Sequence, residues 1–305
     1  MLWQRVNSTI SKTLGHFVLE NERFNISLVS RLREKKNSLL PFPDNSILYV
    51  GYPRSSRHNS VSDSREESLP PDIRPVALVM LTLRGSLFPL FSPHYSIEPE
   101  EVACVLRRIL PGSKPLFSVI GTERDVNLCR PFLSREEDTS LSYHLMTRRK
   151  ELPLPISRAK QNYKIKNLTP KNCRRVFPLE EMYQHEEVLI HPENFNPAAH
   201  MIYFKRAASS QHILFAEGPD GPIAKAGTNS IGFRYCQIGG VYTLPAYRRR
   251  GISRDLMINL LQWSSRSGLS AALFVQKNNR PAVELYRNLS FDLEEGYRIV
   301  YLKQA

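Results

Sequence analysis

Val241-Tyr242-Thr243-Leu244-Pro245-Ala246-Tyr247-Arg248-Arg249-Arg250-Gly251-Ile252-Ser253 is the stretch on which the fold turns. A β-leaning segment stops at Pro245, a short basic loop follows, and Gly251-Ile252-Ser253 opens an amphipathic run. Within that run Ile252, Leu256, Leu260 and Trp263 share one helical face, with Met257 and Leu261 beside them. A strand that feeds a glycine-containing loop into a helix start leaves several backbone N–H groups unpaired and pointing one way. The helix dipole adds positive potential there, and Arg248, Arg249, Arg250 and Arg254 add more. The segment is suited to a phosphorylated ligand. It is neither a P-loop, which ends Gly-Lys-Ser/Thr, nor a three-glycine dinucleotide fingerprint.

Further along, Leu269 to Gln276 is an apolar run bounded by Gly268 and Asn278-Asn279, as a buried strand would be. Asn279-Arg280-Pro281-Ala282-Val283-Glu284-Leu285-Tyr286 then opens a helix with proline in its first turn and Ala282, Leu285, Tyr286 and Leu289 in one stripe. Tyr297 to Lys303 reads as a last strand.

Arg248-x-x-Gly251-x-Ser253 resembles the acetyl-CoA pyrophosphate loop of the GNAT superfamily of N-acetyltransferases, Gln/Arg-x-x-Gly-x-Gly/Ala. Asn279-x-x-Ala282-x-x-Leu285-Tyr286-x-x-x-Ser290-Phe291 resembles the second signature of that family, Asn-x-x-Ala-x-x-Leu-Tyr-x-x-x-Gly-Phe. Ser253 departs from the usual glycine or alanine, though a serine is small enough for the close backbone approach, and Ser290 departs from the usual glycine. The resemblance covers residues 228–303 and implies an acetyl-CoA-dependent transfer to a primary amine. It implies that the backbone of Val241, Tyr242 and Thr243 pairs with the pantetheine arm. Amides from Arg249 through Gly251, Ile252 and Ser253 to Arg254 would take the pyrophosphate, Arg248 would belong to the same loop, and Asn279 would reach the CoA arm. Tyr286 would protonate the departing thiolate, as a phenol with a reference pKa near ~10 can. For the general base the resemblance fixes nothing; among His185, Glu186 and Glu187, at the end of the first helical region, Glu187 is favoured. Each residue also has a structural reading: Tyr286 as core, Asn279 as a turn residue before a helix, and the arginines as a solvated turn.

Upstream, Tyr163–Thr169 reads as a strand, Lys171–His185 and Asn196–Ala208 as helices, and Ile213–Glu217 with Ala224–Thr228 as a hairpin around Gly218-Pro219-Asp220-Gly221-Pro222. Phe233–Thr243 is the next strand, with Gly239-Gly240 permitting a bulge. The order is β-α-α-β-β-β-α-β-α-β, which matches the GNAT fold. The expected fold class is α/β (α+β): a mixed, mostly antiparallel sheet flanked by helices, with a smaller N-terminal α/β domain. The expected domains are 1–152, with a mobile loop at about 53–75, and 160–305, the acetyltransferase domain. In the N-terminal half, residues 5–36 read as one or two helices, Val76–Leu83, Phe117–Ile120 and Ser140–Thr147 as strands, and Glu98–Leu110 as a helix. The layout resembles a group of GNAT proteins with an additional uncharacterised N-terminal α/β domain, and a degenerate second GNAT domain is equally arguable. No second Arg-x-x-Gly loop occurs in residues 1–155, so one cofactor site is expected.

At 305 residues, 41% hydrophobic and 23% charged, the chain can bury two ordinary cores. The net charge of +13 is uneven: residues 1–155 hold 21 Lys and Arg against 17 Asp and Glu, residues 156–305 hold 21 against 12. The excess falls where a polyanionic cofactor is expected, although nucleic acid would be attracted as well. No apolar run approaches the ~20 residues of a membrane span, and Met1–Asn7 does not open a secretory signal. Cys104, Cys129, Cys173 and Cys236 are scattered without zinc spacing, so no metal is expected and a cytoplasmic location is. A rival reading is a non-catalytic acyl-CoA-binding regulatory module that docks RNA or protein. The acceptor amine and the oligomeric state are not legible.

Overall fold

The computed structural model describes residues 1–6, 12–36, 46–53, 73–110, 115–154, 156 and 162–303. The stretch at about 53–75 read as a mobile loop lies mostly outside the described residues. Two compact units emerge, Met1–Tyr143 with Glu295–Ala305, and His144–Glu294. The chain's last residues join the first unit, and the division falls within two strands rather than at the prolines near 153.

The first unit runs β1 (Leu2–Arg5), α1 (Lys12–Asn21), α2 (Ile26–Lys36), β2 (Ile47–Tyr52), β3 (Ala77–Leu81), β4 (Ser86–Phe91), α3 (Pro99–Ile109), β5 (Ser118–Thr122), α4 (Glu123–Cys129) and β6 (Glu137–Arg148). Strands β1 to β5 lie in chain order, antiparallel except for the β4–β5 pair. The apolar stripe of α3, Val102, Val105, Leu106 and Ile109, packs on Ala77, Val79 and Leu87. Three of these strands, β1, β2 and β4, escaped the sequence reading. In β2 the residues Gly51 and Tyr52 blur the two-residue alternation, and in β4 a proline at position 89 argues against a strand.

The second unit runs β7 (Lys164–Asn167), α5 (Cys173–Tyr183), α6 (Pro197–Ser210), β8 (Ile213–Gly218), β9 (Gly221–Ile231), β10 (Tyr235–Thr243), α7 (Ile252–Arg266), β11 (Ser270–Gln276) and α8 (Arg280–Arg287). The final strand, β12 (Asp292–Leu302), begins there and ends in the first unit. The order β7-β8-β9-β10-β11-β6 is antiparallel from β7 to β10, and β10 pairs parallel to β11. Alternation along β8 separates two cores. Leu214 and Ala216 join Ile252, Leu256 and Leu260 of α7, whereas Phe215 joins Val176 and Phe177 of α5 and Phe204 of α6. The sheet is thus covered on both faces, with the expected element order.

Candidate functional site

Strand β10 carries the site because its two edges are treated differently along its length. On the β11 side, pairing runs from Tyr235–Ser270 to Ile238–Leu273 and stops, although both strands continue. On the β9 side the register slips between Gly239 and Tyr242, so that Gly239 faces Gly227 and Tyr242 faces Lys225. This is a bulge, and Gly240 takes it at φ 59. Beyond it, the Leu244 amide donates to Ile223 on the β9 side. The backbone edges of Thr243 and Val241 therefore face the other way, into the space that β11 has vacated. The Thr243 carbonyl there accepts from Arg248 Nε at 3.0 Å.

The loop then delivers a helix start. Pro245–Tyr247 makes one 3-10 turn, Arg249 sits at φ 63, and Gly251 precedes α7 at φ 78 with no side-chain acceptor capping the first amides. A Cβ at Gly251 would meet nothing within 4 Å, so the space in front of the helix is open. Ser253 replaces the usual glycine or alanine for a visible reason: its hydroxyl lies 2.7 Å from that of Thr243 and ties the loop's exit to its entrance. Arg254 donates to the Ile156 carbonyl and Arg250 lies over the Tyr247 ring.

Arg248 is used otherwise than its motif position suggests. Its guanidinium holds both Glu186 carboxylate oxygens at 2.6 and 2.8 Å, and Tyr242 Oη donates to the same carboxylate at 2.9 Å. Burial would raise the Glu186 carboxyl, but the hydrogen bonds from Arg248 and Tyr242 outweigh it and hold the group below its ordinary range. Next in sequence, Glu187 is pushed up, first by burial and then by the Glu186 charge. Tyr286 is buried in the α7 core with its ring edge-on to Phe291, 6.0 Å between centroids. Its phenol is pushed up by burial and then by Glu187, so these two predicted residues lie within electrostatic reach of each other. The Tyr286 hydroxyl has no hydrogen-bond partner among the described residues. Asn279 caps α8, its side-chain oxygen accepting from the Ala282 amide at 3.2 Å.

A cluster that sequence reading missed lies on the other side of the bulge. Lys225, buried in β9, donates to the Gly240 carbonyl at 3.0 Å, pairs with Glu180 at 2.9 Å and stands 4.0 Å above the Tyr183 ring. Glu180 also takes Gln184 at 2.7 Å and His200 at 3.1 Å. Burial would raise its carboxyl; the His200 hydrogen bond and the Lys225 ammonium prevail and bring it to about 2. These residues line a cavity of about 350 Å³ with Tyr203 and Gly239. The signal was a charged residue at an inward strand position, Lys225, and another on the inward face of α5, Glu180. Neither means anything until the two elements meet.

Lys225→Met leaves Glu180 buried without its cation. We expect a loss of about 3 kcal/mol in urea unfolding, the usual cost of breaking a buried pair, with Glu180→Gln in the same chain recovering part of it. The depressed Glu180 carboxyl contributes stability fully present above its ordinary 4.5 and lost as pH falls towards about 2. A wild-type chain whose acid unfolding matches that of Glu180→Gln would contradict this.

Among the described residues no group of three or more His, Cys, Asp or Glu could hold a metal ion, and no helix is long and apolar enough to cross a membrane.

Residues 177–291 match the model of the acetyltransferase (GNAT) family. Among solved structures, a Drosophila protein is 11% identical, covers 99% of this chain and 98% of its own, and superposes with a TM-score of 0.66. A GNAT-family acetyltransferase from Colwellia psychrerythraea is 10% identical over 99% of this chain and 100% of its own, TM-score 0.54. A tandem GNAT protein from the clavulanic acid biosynthesis pathway is 10% identical over 98% of each chain, TM-score 0.51. At these identities the likeness is one of fold. No curated protein matches the sequence.

Proposed function

We propose that the chain is an acetyl-CoA-dependent N-acetyltransferase that transfers acetyl to a primary amine by direct attack in a ternary complex. The observation that carries this is the end of β10–β11 pairing at Ile238, immediately ahead of the open helix start at Gly251. The residues fit acetyl-CoA as substrate. The Val241 and Thr243 edge meets the amide-bearing pantetheine arm, and backbone amides from Arg249 to Arg254 meet the diphosphate. Arg249, Arg250 and Arg254 add positive potential. Arg248 serves the loop by fixing Glu186 and Thr243 rather than by gripping phosphate. With its oxygen spent on the α8 cap, Asn279 has its amide NH2 to offer the CoA arm.

In the reaction the amine nitrogen bonds to the acetyl carbon, the carbon–sulfur bond breaks, the amine proton goes to Glu187 and the thiolate takes one from Tyr286. A raised carboxyl is a better base near neutral pH than an ordinary one. Burial disfavours a thiolate as it does a phenolate, so donor and acceptor shift together and the proton transfer stays feasible. The cavity under α5 and α6, walled by Tyr183, Tyr203 and His200, is the entrance proposed for the acceptor. The proposed location is the cytoplasm, in keeping with four cysteines that carry no disulfide.

Incubation with acetyl-CoA and pooled amines, read by mass spectrometry, should release CoA and yield an acetylated amine. Tight CoA binding with no turnover, unchanged by Tyr286→Phe, would instead favour the non-catalytic module. Glu187→Gln should lower kcat about 100-fold. It should also flatten the acid limb of the pH–rate profile, because activity needs the deprotonated carboxyl and is lost as pH falls through its raised pKa. A profile of unaltered shape would exclude Glu187 as the base.

A further inference from the structure

The first unit repeats the second: β1, α1, α2, β2, β3, β4, α3, β5, α4, β6 is again β-α-α-β-β-β-α-β-α-β, with a parallel pair, β4 and β5, at its centre. Pairing there also stops early, after Ser86–Ser118 and Leu87–Val119. The equivalence can be carried to single residues. The Ser92 amide donates to Val76 across to the β3 side, as the Leu244 amide does to Ile223, so Phe91 and Pro89 stand where Thr243 and Val241 stand in the second unit.

At those two positions the chemistry differs. Pro89 has no N–H to offer. The Phe91 amide is taken by Asp125 Oδ2 at 3.2 Å, whereas the Phe91 carbonyl accepts from Arg124 at 2.6 Å much as the Thr243 carbonyl accepts from Arg248. The Pro89 and Ile120 carbonyls, one on each strand, both accept from the Asn25 side-chain amide, at 3.4 and 3.3 Å. Asp125 and Asn25 are completely buried, and Gly121 lies close enough to β4 that a Cβ would stand 3.3 Å from the Pro89 oxygen. The loop to α3 has no glycine and no arginine, and Glu98, Glu100 and Glu101 surround the helix start. Glu101 accepts the Glu98 amide at 3.1 Å. A diphosphate would meet carboxylates there instead of guanidinium groups.

We infer that the N-terminal unit is a second GNAT-fold copy whose pantetheine cleft is filled by the chain's own Asn25 and Asp125, so that one chain takes one CoA. The count of one rests on the function proposed for the second unit; the filling of the first does not.

Two measurements on the full chain decide it. Titration calorimetry with CoA should give one equivalent, and none for Gly251→Glu; two equivalents, or binding that survives Gly251→Glu, would overturn the inference. Hydrogen exchange should show residues 86–92 slow without CoA and unchanged by it, while 239–254 slows on CoA addition. Asp125→Ala, or Asp125→Asn if alanine does not fold, should speed exchange at 86–92 about tenfold by freeing the Phe91 amide. Fast exchange at 86–92 in the free wild-type chain, protection of that segment by CoA, or no acceleration in either variant would overturn the filled cleft. Absence of any CoA effect at 239–254 would defeat the proposed function alone.

Discussion

Gly251→Glu should weaken CoA binding at least ~100-fold while the chain stays folded. Two effects act together. At φ 78 a side chain costs about 1 kcal/mol or more, because its Cβ crowds the carbonyl in the left-handed region. A carboxylate about 5 Å from one diphosphate charge adds about 3 kcal/mol of repulsion at an effective dielectric near 20. Gly251→Ala separates them: it carries the backbone strain without the charge, and the open space in front of the residue leaves its methyl without a clash. Its CoA affinity should fall only several-fold. Calorimetry on both variants, with circular dichroism to establish folding, checks the pair. Equal affinities in wild type and Gly251→Glu would remove the diphosphate from this turn.

Tyr286→Phe should lower kcat by about 10²- to 10⁴-fold, the usual contribution of a positioned acid. CoA affinity should hardly change. Stability should also change little, since the hydroxyl has no hydrogen-bond partner among the described residues and the ring keeps its place against Phe291. Loss of turnover without loss of binding or stability is what distinguishes an acid from a core tyrosine. A variant with wild-type kcat would leave Tyr286 as packing. A variant that unfolds would show the hydroxyl to be structural. Urea unfolding and steady-state kinetics on one preparation read both.

Much of the second unit was legible from the chain. Periodicity placed α7 on Ile252, Leu256 and Leu260, and these are its buried face. The hairpin came from the turn residues at 218–222, and Gly239-Gly240 marked the place where the register slips. In the first unit less could be read. Pro89 disguised β4, although on that strand it faces the side where pairing with β5 has ended and no amide is needed.

What the sequence determined by itself is local: periods, caps, turns and the glycine at the head of α7 depend on residues within a few positions of each other. Only the tertiary structure decided which side chains spend their hydrogen bonds on one another. Arg248 closes on Glu186 across 62 positions, Lys225 settles on Glu180 beneath Gly240, and Asn25 reaches strands far along the chain. Partners of that kind are chosen by burial, since a polar group removed from water must find whatever donor or acceptor the fold brings near. Thus two stretches of equal topology are left with one open cleft and one filled.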